Sequence, residues 1–170
     1  MISKIKFFLF RLFLRFRSKP EIPRKPAPLS RAKSIGILFD ASDAKNNALI
    51  QKYAGALKAQ HINVEMLGYL PKREFGFVCP FPFITDKETG WYGKPGGQGT
   101  HHFIESRFDL LINFCVEECL PLEYICAVSP AGFRIGFNKN EENANYDLIL
   151  IPKENKDISN LIQNLEHYLK

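Results

Sequence analysis

The chain reads as an α/β protein, a three-layer α/β/α domain with a mainly parallel sheet, preceded by an N-terminal amphipathic helix. Three observations carry that expectation. Short continuous apolar runs bounded by polar residues, such as Ser34–Asp40 (SIGILFD) and Phe108–Phe114 (FDLLINF), are what strands covered on both faces look like. Segments with apolar residues at helical spacing alternate with those runs, which implies parallel strands joined by helical crossovers. The composition, 45% hydrophobic and 24% charged over 170 residues, holds core enough for one ordinary domain and lies far from that of a disordered chain.

Charge divides the chain before its elements do. Residues 1–33 hold ten Lys/Arg against Glu21 alone, a net of +9, while residues 34–170 hold 13 basic and 17 acidic residues, a net of −4. An acidic body behind a basic leader points to an anionic partner for the leader. On a helical wheel, residues 2–17 place Ile2, Ile5, Phe8, Leu9, Leu12, Phe13 and Phe16 on one face, with Lys4, Arg11 and Arg15 along one flank and Lys6 and Arg17 along the other. Such a helix suits the interface of an anionic membrane, where apolar side chains enter the acyl boundary and cations meet headgroups. The expected membrane contacts are Ile5, Phe8, Leu9, Leu12, Phe13, Phe16, Lys4, Arg11 and Arg15. Packing on its own domain or on a second copy is the next reading. Nucleic acid comes after it, because phosphate binding gains little from so many large apolar residues. Arg11, Arg15 and Arg17 interrupt the apolar run, so neither a signal peptide nor a transmembrane span is expected.

Residues 18–33 carry Pro20, Pro23, Pro26 and Pro28 among basic residues and read as an extended spacer, leaving residues 34–170 as the domain. Its first strand is Ser34–Asp40. A helix over 44–60 is expected to bury Ala48, Leu49, Tyr53, Ala56 and Leu57. Residues 62–70 follow as a strand, and 71–100 as an irregular region with room for a short strand at 81–85. Next come a helix over 101–107, the strand Phe108–Phe114, a helix over 119–129, strands over 133–137 and 146–151, and a terminal helix marked by Ile158, Leu161, Ile162, Leu165 and Leu169. The pattern is Rossmann-like or flavodoxin-like.

In such sheets sites form beyond the carboxyl ends of strands. That nominates Asp40 and Ser42, Asn113 and Glu117, and Asn138 and Lys139. Gly97 and Gly99 with Thr100 could present backbone amides to a phosphate, although a plain turn with Thr100 as N-cap fits the spacing better. Phe81, Phe83, Trp91, Tyr92 and Lys94 form a candidate interaction surface, with the alternative that the aromatics fold back as core. Asp43 reads as a helix N-cap, and Glu117–Glu118 as a helix start or an acid/base pair. His101 and His102 are adjacent and point apart on a helix. Cys115, Cys119 and Cys126 match no zinc spacing and read as buried, reduced thiols, as Cys79 does. No metal site or cofactor is expected, and no residue is assigned a catalytic role.

Trp91-Tyr92-Gly93-Lys94, Arg107 to Asn113 (RFDLLIN) and Phe133 to Phe137 (FRIGF) resemble an uncharacterised bacterial domain-of-unknown-function family of short α/β proteins with a basic N-terminal leader. The resemblance implies one α/β domain in a bacterial, cytoplasmic setting and assigns no activity. FDLLINF followed by a helix and AGFRIGF also looks like one half of a two-domain glycosyltransferase of the heptose-transferring kind. That likeness is at the level of fold, since such enzymes react between two domains and this chain is expected to have one. The functional expectation is a non-catalytic binding or adaptor module held peripherally at the inner membrane surface. The alternatives are a nucleotide or sugar-phosphate binder or enzyme working at the strand ends, and an RNA- or ribosome-associated protein.

Overall fold

The structure, a computed structural model, describes residues 5, 9, 12, 25–72, 79–90, 93–117, 119–137, 145–151 and 157–170. Its elements run β1 (Ser34–Asp40), α1 (Ala44–Ala59), β2 (Asn63–Tyr69), β3 (Phe83–Ile84), α2 (Gln98–Glu105), β4 (Leu110–Asn113), α3 (Leu120–Val128), β5 (Phe133–Gly136), β6 (Leu148–Ile149) and α4 (Ile158–Tyr168). Each neighbouring pair of strands is parallel, in the order β3-β2-β1-β4-β5-β6. The chain winds outward from β1 in one direction and then from β4 in the other. This is the Rossmann order, and it puts a topological switch point between β1 and β4.

Side-chain alternation along the central strands sorts the core into two layers. Ile35, Ile37 and Phe39 of β1 join Leu110 and Ile112 of β4 and the inner faces of α1 and α4. Leu38 and Leu111 face the opposite way, against Phe103 of α2 and Leu122 and Ile125 of α3. Both faces are therefore covered, which is why these strands read as unbroken apolar runs. Gly36 breaks the run for a packing reason. A Cβ there would lie 2.7 Å from the Phe108 ring, which rests on the strand.

The N-cap of α1 is Asp43, whose carboxylate accepts from the Asn46 amide at 3.0 Å. The helix is turned from the face that apolar spacing suggested: Asn47, Ile50, Tyr53, Ala54 and Leu57 are buried, and Ala48 and Ala56 are exposed. The Asn47 Nδ2 donates to the Ala41 carbonyl at 2.9 Å, a bond that draws this polar side chain inward and sets the helix rotation. The N-cap of α2 is Gly97, not Thr100, which is buried within the first turn. Gly97 has φ +93, in the region that favours glycine.

The packed body starts before residue 34. Ala27 and Leu29 lie against the core, Ala32 is buried, and the Leu29 amide donates to the Leu169 carbonyl at 2.8 Å. In the leader, Ile5, Leu9 and Leu12 are helical and exposed. Lys4, Phe8, Arg11, Phe13, Arg15 and Phe16 lie outside the described residues. Among the described residues, no helix is long and apolar enough to cross a membrane.

Candidate functional site

The ends of β1, β2 and β4 converge on a cavity of about 530 Å³ at the switch point. That volume falls within the usual span of small-molecule sites, about 300–1,000 Å³. Asp40 ends β1, Tyr69 ends β2, and Cys115 and Glu117 follow β4. Asp86 comes from the turn after β3, and Cys119, Leu120 and Pro121 from the start of α3. The irregular region closes the remaining side. Thr89 and Pro95 bridge, the Gly93 amide donates to the Gly90 carbonyl at 2.8 Å, and Gly90 and Gly93 line the wall. Gly93 has φ +85, and a Cβ there would stand 2.7 Å from Leu120 Cβ, so only glycine lets this loop close against α3.

Three carboxylates, those of Asp40, Asp86 and Glu117, meet this cavity, and no Lys or Arg does among the described residues. Asp40 is held in place by accepting from the Ser42 amide at 2.9 Å. The Tyr69 hydroxyl donates to Asp86 Oδ1. Burial, and then that hydrogen bond, push the Tyr69 phenol up, so it stays protonated and oriented. The Cys115 thiol donates to the Glu117 carbonyl at 3.2 Å. A hydrogen bond with Cys115, and then burial, raise the Cys119 pKa, so that thiol stays protonated. Among the described residues, the lining is thus rich in acceptors and its charged side chains are carboxylates.

Behind it lies a buried polar network that spacing did not reveal. Asn113 Nδ2 donates to the Tyr146 hydroxyl at 2.8 Å, and that hydroxyl donates to Glu123 Oε1 at 2.7 Å. Asn113 Oδ1 accepts from the Cys115 amide at 3.0 Å, which turns the chain at the end of β4. Burial, followed by Cys126 and Glu123, holds the Tyr146 phenol well above its ordinary range. Beside the network, Arg134 donates to Asp147 from its backbone amide, Nε and Nη2 at 2.9, 3.2 and 3.2 Å, and to the Cys126 carbonyl at 3.0 Å. These bonds tie β5 to the start of β6 and to α3. The hint in the sequence was a charged residue, Arg134, inside an apolar strand.

Of the residues nominated from sequence, Asp40 and Glu117 meet at the cavity. Ser42 borders a neighbouring hollow of about 410 Å³ with Asn47 and Lys72. Asn113 is 1% exposed with its amide engaged as above, so it supports the site from behind and does not face a ligand. Gly97, Gly99 and Thr100 begin α2 outside the cavity lining. A Cβ on Gly97 would lie 3.7 Å from Glu88 Oε1, so a carboxylate already stands beside this turn. Phe81 is not a surface residue: it is 5% exposed and packs edge-on to Phe39 at 4.9 Å. Phe83 is half-buried in β3 and Lys94 is exposed. Trp91, Tyr92, Glu118, Asn138 and Lys139 lie outside the described residues. His101 and His102 are exposed on α2, and among the described residues no group of three or more His, Cys, Asp or Glu could hold a metal ion.

No curated protein and no solved structure matches the chain significantly. One family model, described as a family of unknown function (DUF6913), matches residues 6–170, which takes in most of the leader as well as the whole α/β body. With nearly its full length inside that match, the chain belongs to the DUF6913 family.

Proposed function

We propose that the domain is a binding module for a small cationic or polyhydroxylated molecule, taken up in the cavity between the ends of β1 and β4. The observation that carries this reading is the lining itself. Asp40, Asp86 and Glu117 converge where the strand order reverses, with Tyr69 and two thiols between them. A low-dielectric cleft lined by one sign of charge concentrates ligands of the opposite sign. The same charge disfavours the phosphate of a nucleotide or sugar phosphate, which would have to displace or neutralise these carboxylates. The test is thermal unfolding with a panel of polyamines, amino sugars, neutral sugars and nucleotides. A ligand at a hundred times its Kd adds about 2.7 kcal/mol to native stability. Stabilisation by an amine or polyol that is lost in Glu117→Gln is the expected result. Stabilisation by nucleotides alone would overturn the reading.

A second reading concerns address rather than ligand, and it does not compete with the first. Exposed Ile5, Leu9 and Leu12 recur at helical spacing in a leader of net charge +9, which suits peripheral attachment to an anionic membrane surface. Co-sedimentation with anionic and neutral vesicles tests it, comparing the full chain with one lacking residues 1–17. Binding to anionic vesicles that disappears on deletion supports attachment. Salt-sensitive binding to RNA without vesicle binding would reassign the leader to nucleic acid.

A further inference from the structure

We propose that the hollow of about 410 Å³ beside α1 is a second binding site, for a small carboxylate that also carries a hydroxyl. The hydroxyl donates to Asn47 Oδ1, and the carboxylate meets Lys72.

The hollow is distinct from the cavity at the switch point, since no residue lines both. Asp40 and Tyr69 border the first cavity, and their successors Ala41 and Leu70 border the second, as the alternation of side chains along a strand requires. The Ala41 amide donates to the Tyr69 carbonyl at 2.8 Å, so hydrogen-bonded backbone runs between the two.

Asn47 carries the proposal. It is 7% exposed and lines the hollow from the first turns of α1. Its Nδ2 donates to the Ala41 carbonyl at 2.9 Å. A carbonyl accepts only from the nitrogen of an amide side chain, so that bond fixes which arm is the oxygen. Among the described residues, nothing donates to Oδ1. A buried acceptor without a donor costs stability, and buried polar groups of native folds are nearly always satisfied, so Oδ1 calls for a donor from outside the chain.

The rest of the lining says what else that molecule carries. Lys72 brings a positive charge, and the lining includes Ala44, where the amide end of the 16-residue α1 favours a negative group. The Asp43 carboxylate is outside the lining and accepts from the Asn46 amide at 3.0 Å. Leu70 and Pro71 give an apolar wall for a short carbon chain. A plain carboxylate satisfies Lys72 and leaves Asn47 unpaired, a neutral polyol does the reverse, and a cation is repelled by Lys72. A hydroxylated carboxylate satisfies both.

The test is a proton–nitrogen NMR titration of the full chain with glycerate, and with propionate and glycerol, which lack its hydroxyls and its carboxylate respectively. Saturable shifts at Ala41, Ser42, Ala44 and the Asn47 side-chain amide are expected with glycerate. Propionate and glycerol should each bind at least about tenfold more weakly, because each leaves one of the two groups unmatched. Lys72→Gln should bring glycerate down to the level of glycerol, and Asn47→Leu should abolish its advantage over propionate. Should Asn47→Leu fail to fold, the comparison of the three compounds on the unmutated chain decides the matter. Glu117→Gln should leave the glycerate titration unchanged, so a failure of the ligand reading at the switch point is seen apart from a failure here. The proposal is overturned by an absence of glycerate shifts around Asn47, which would mean that a water alone serves Oδ1. Propionate binding as tightly as glycerate, or shifts confined to Asp86, Cys115 and Glu117, would overturn it equally.

Discussion

Removing the Asp147 carboxylate should loosen the β6 edge of the sheet by a measurable and bounded amount. Asp147 accepts three bonds from Arg134, one from the backbone and two from the guanidinium. The two side chains are 5% and 16% exposed, so the charges are largely out of water. In Asp147→Ala the guanidinium keeps the Cys126 carbonyl but loses its counter-charge. Breaking a fully buried pair costs about 3–5 kcal/mol, and the partial solvation of Asp147 brings the expected loss to about 2–3 kcal/mol. With a urea m-value of about 2 kcal/mol/M, the unfolding midpoint should fall by about 1–1.5 M. A companion variant sharpens the test. Arg134→Met combined with Asp147→Leu removes both charges and should recover part of the loss, because an apolar pair carries no desolvation penalty while the Arg134 amide and the Cys126 carbonyl still lose their partners. A midpoint for Asp147→Ala within about 0.3 M of the parent, or a double variant weaker than either single one, would refute the assignment of this pair as the clamp on that edge.

Other perturbations probe the same packing. Gly55 lies on the exposed face of α1 with open space where a Cβ would stand, so Gly55→Ala should raise stability by about 0.5–1 kcal/mol in chemical denaturation. Gly136→Ala should do the reverse by about 1–3 kcal/mol, since the new Cβ would meet the Tyr146 ring at 2.7 Å; near-ultraviolet circular dichroism should report the displaced ring. Burial raises the phenols of Tyr53, Tyr69 and Tyr146 above the ordinary value of about 10. Their unfolded counterparts ionise first, so their contribution is complete below pH of about 10 and is lost as the pH rises beyond it. The buried thiols of Cys119 and Cys126 are raised in the same direction, so the denaturant midpoint should start to fall from a pH of about 9 and fall further above about 10, with tyrosinate absorbance lagging until the chain unfolds.

The central strands were legible because burial on both faces leaves only apolar residues between polar ends, as in SIGILFD and FDLLINF. The helix α1 was legible in extent but not in rotation, since an inward Asn47 is set by a bond to Ala41 that no periodicity encodes. The short β6, Leu148–Ile149, was overestimated because its apolar neighbours continue into Leu150 and Ile151, beyond the hydrogen-bonded ladder. At the site, Asp40 and Glu117 followed from a rule about strand ends. Tyr69 ends β2 and falls under the same rule, although its aromatic character did not single it out; Asp86, Gly90 and Gly93 did not follow, because they lie on the chain after β3, which only the fold brings to the cavity. Glu123, Arg134 and Asp147 escaped notice for the same reason: each is satisfied by a partner that only the fold supplies. The cysteines illustrate a limit of residue-type arguments. The tendency of thiols to be buried describes Cys126 well, but it does not separate Cys126 from the pair that lines a cavity.

The bond from Leu29 to Leu169 gathers the two ends of the body at one pole, beside the start of β1. The cavity opens at the other pole, a strand's length away; the seven residues of β1 span about 23 Å. Ala27 and Leu29 thus meet the body at the pole without the cavity, and a tag appended after Lys170 would sit at that same pole and leave the mouth open to a ligand.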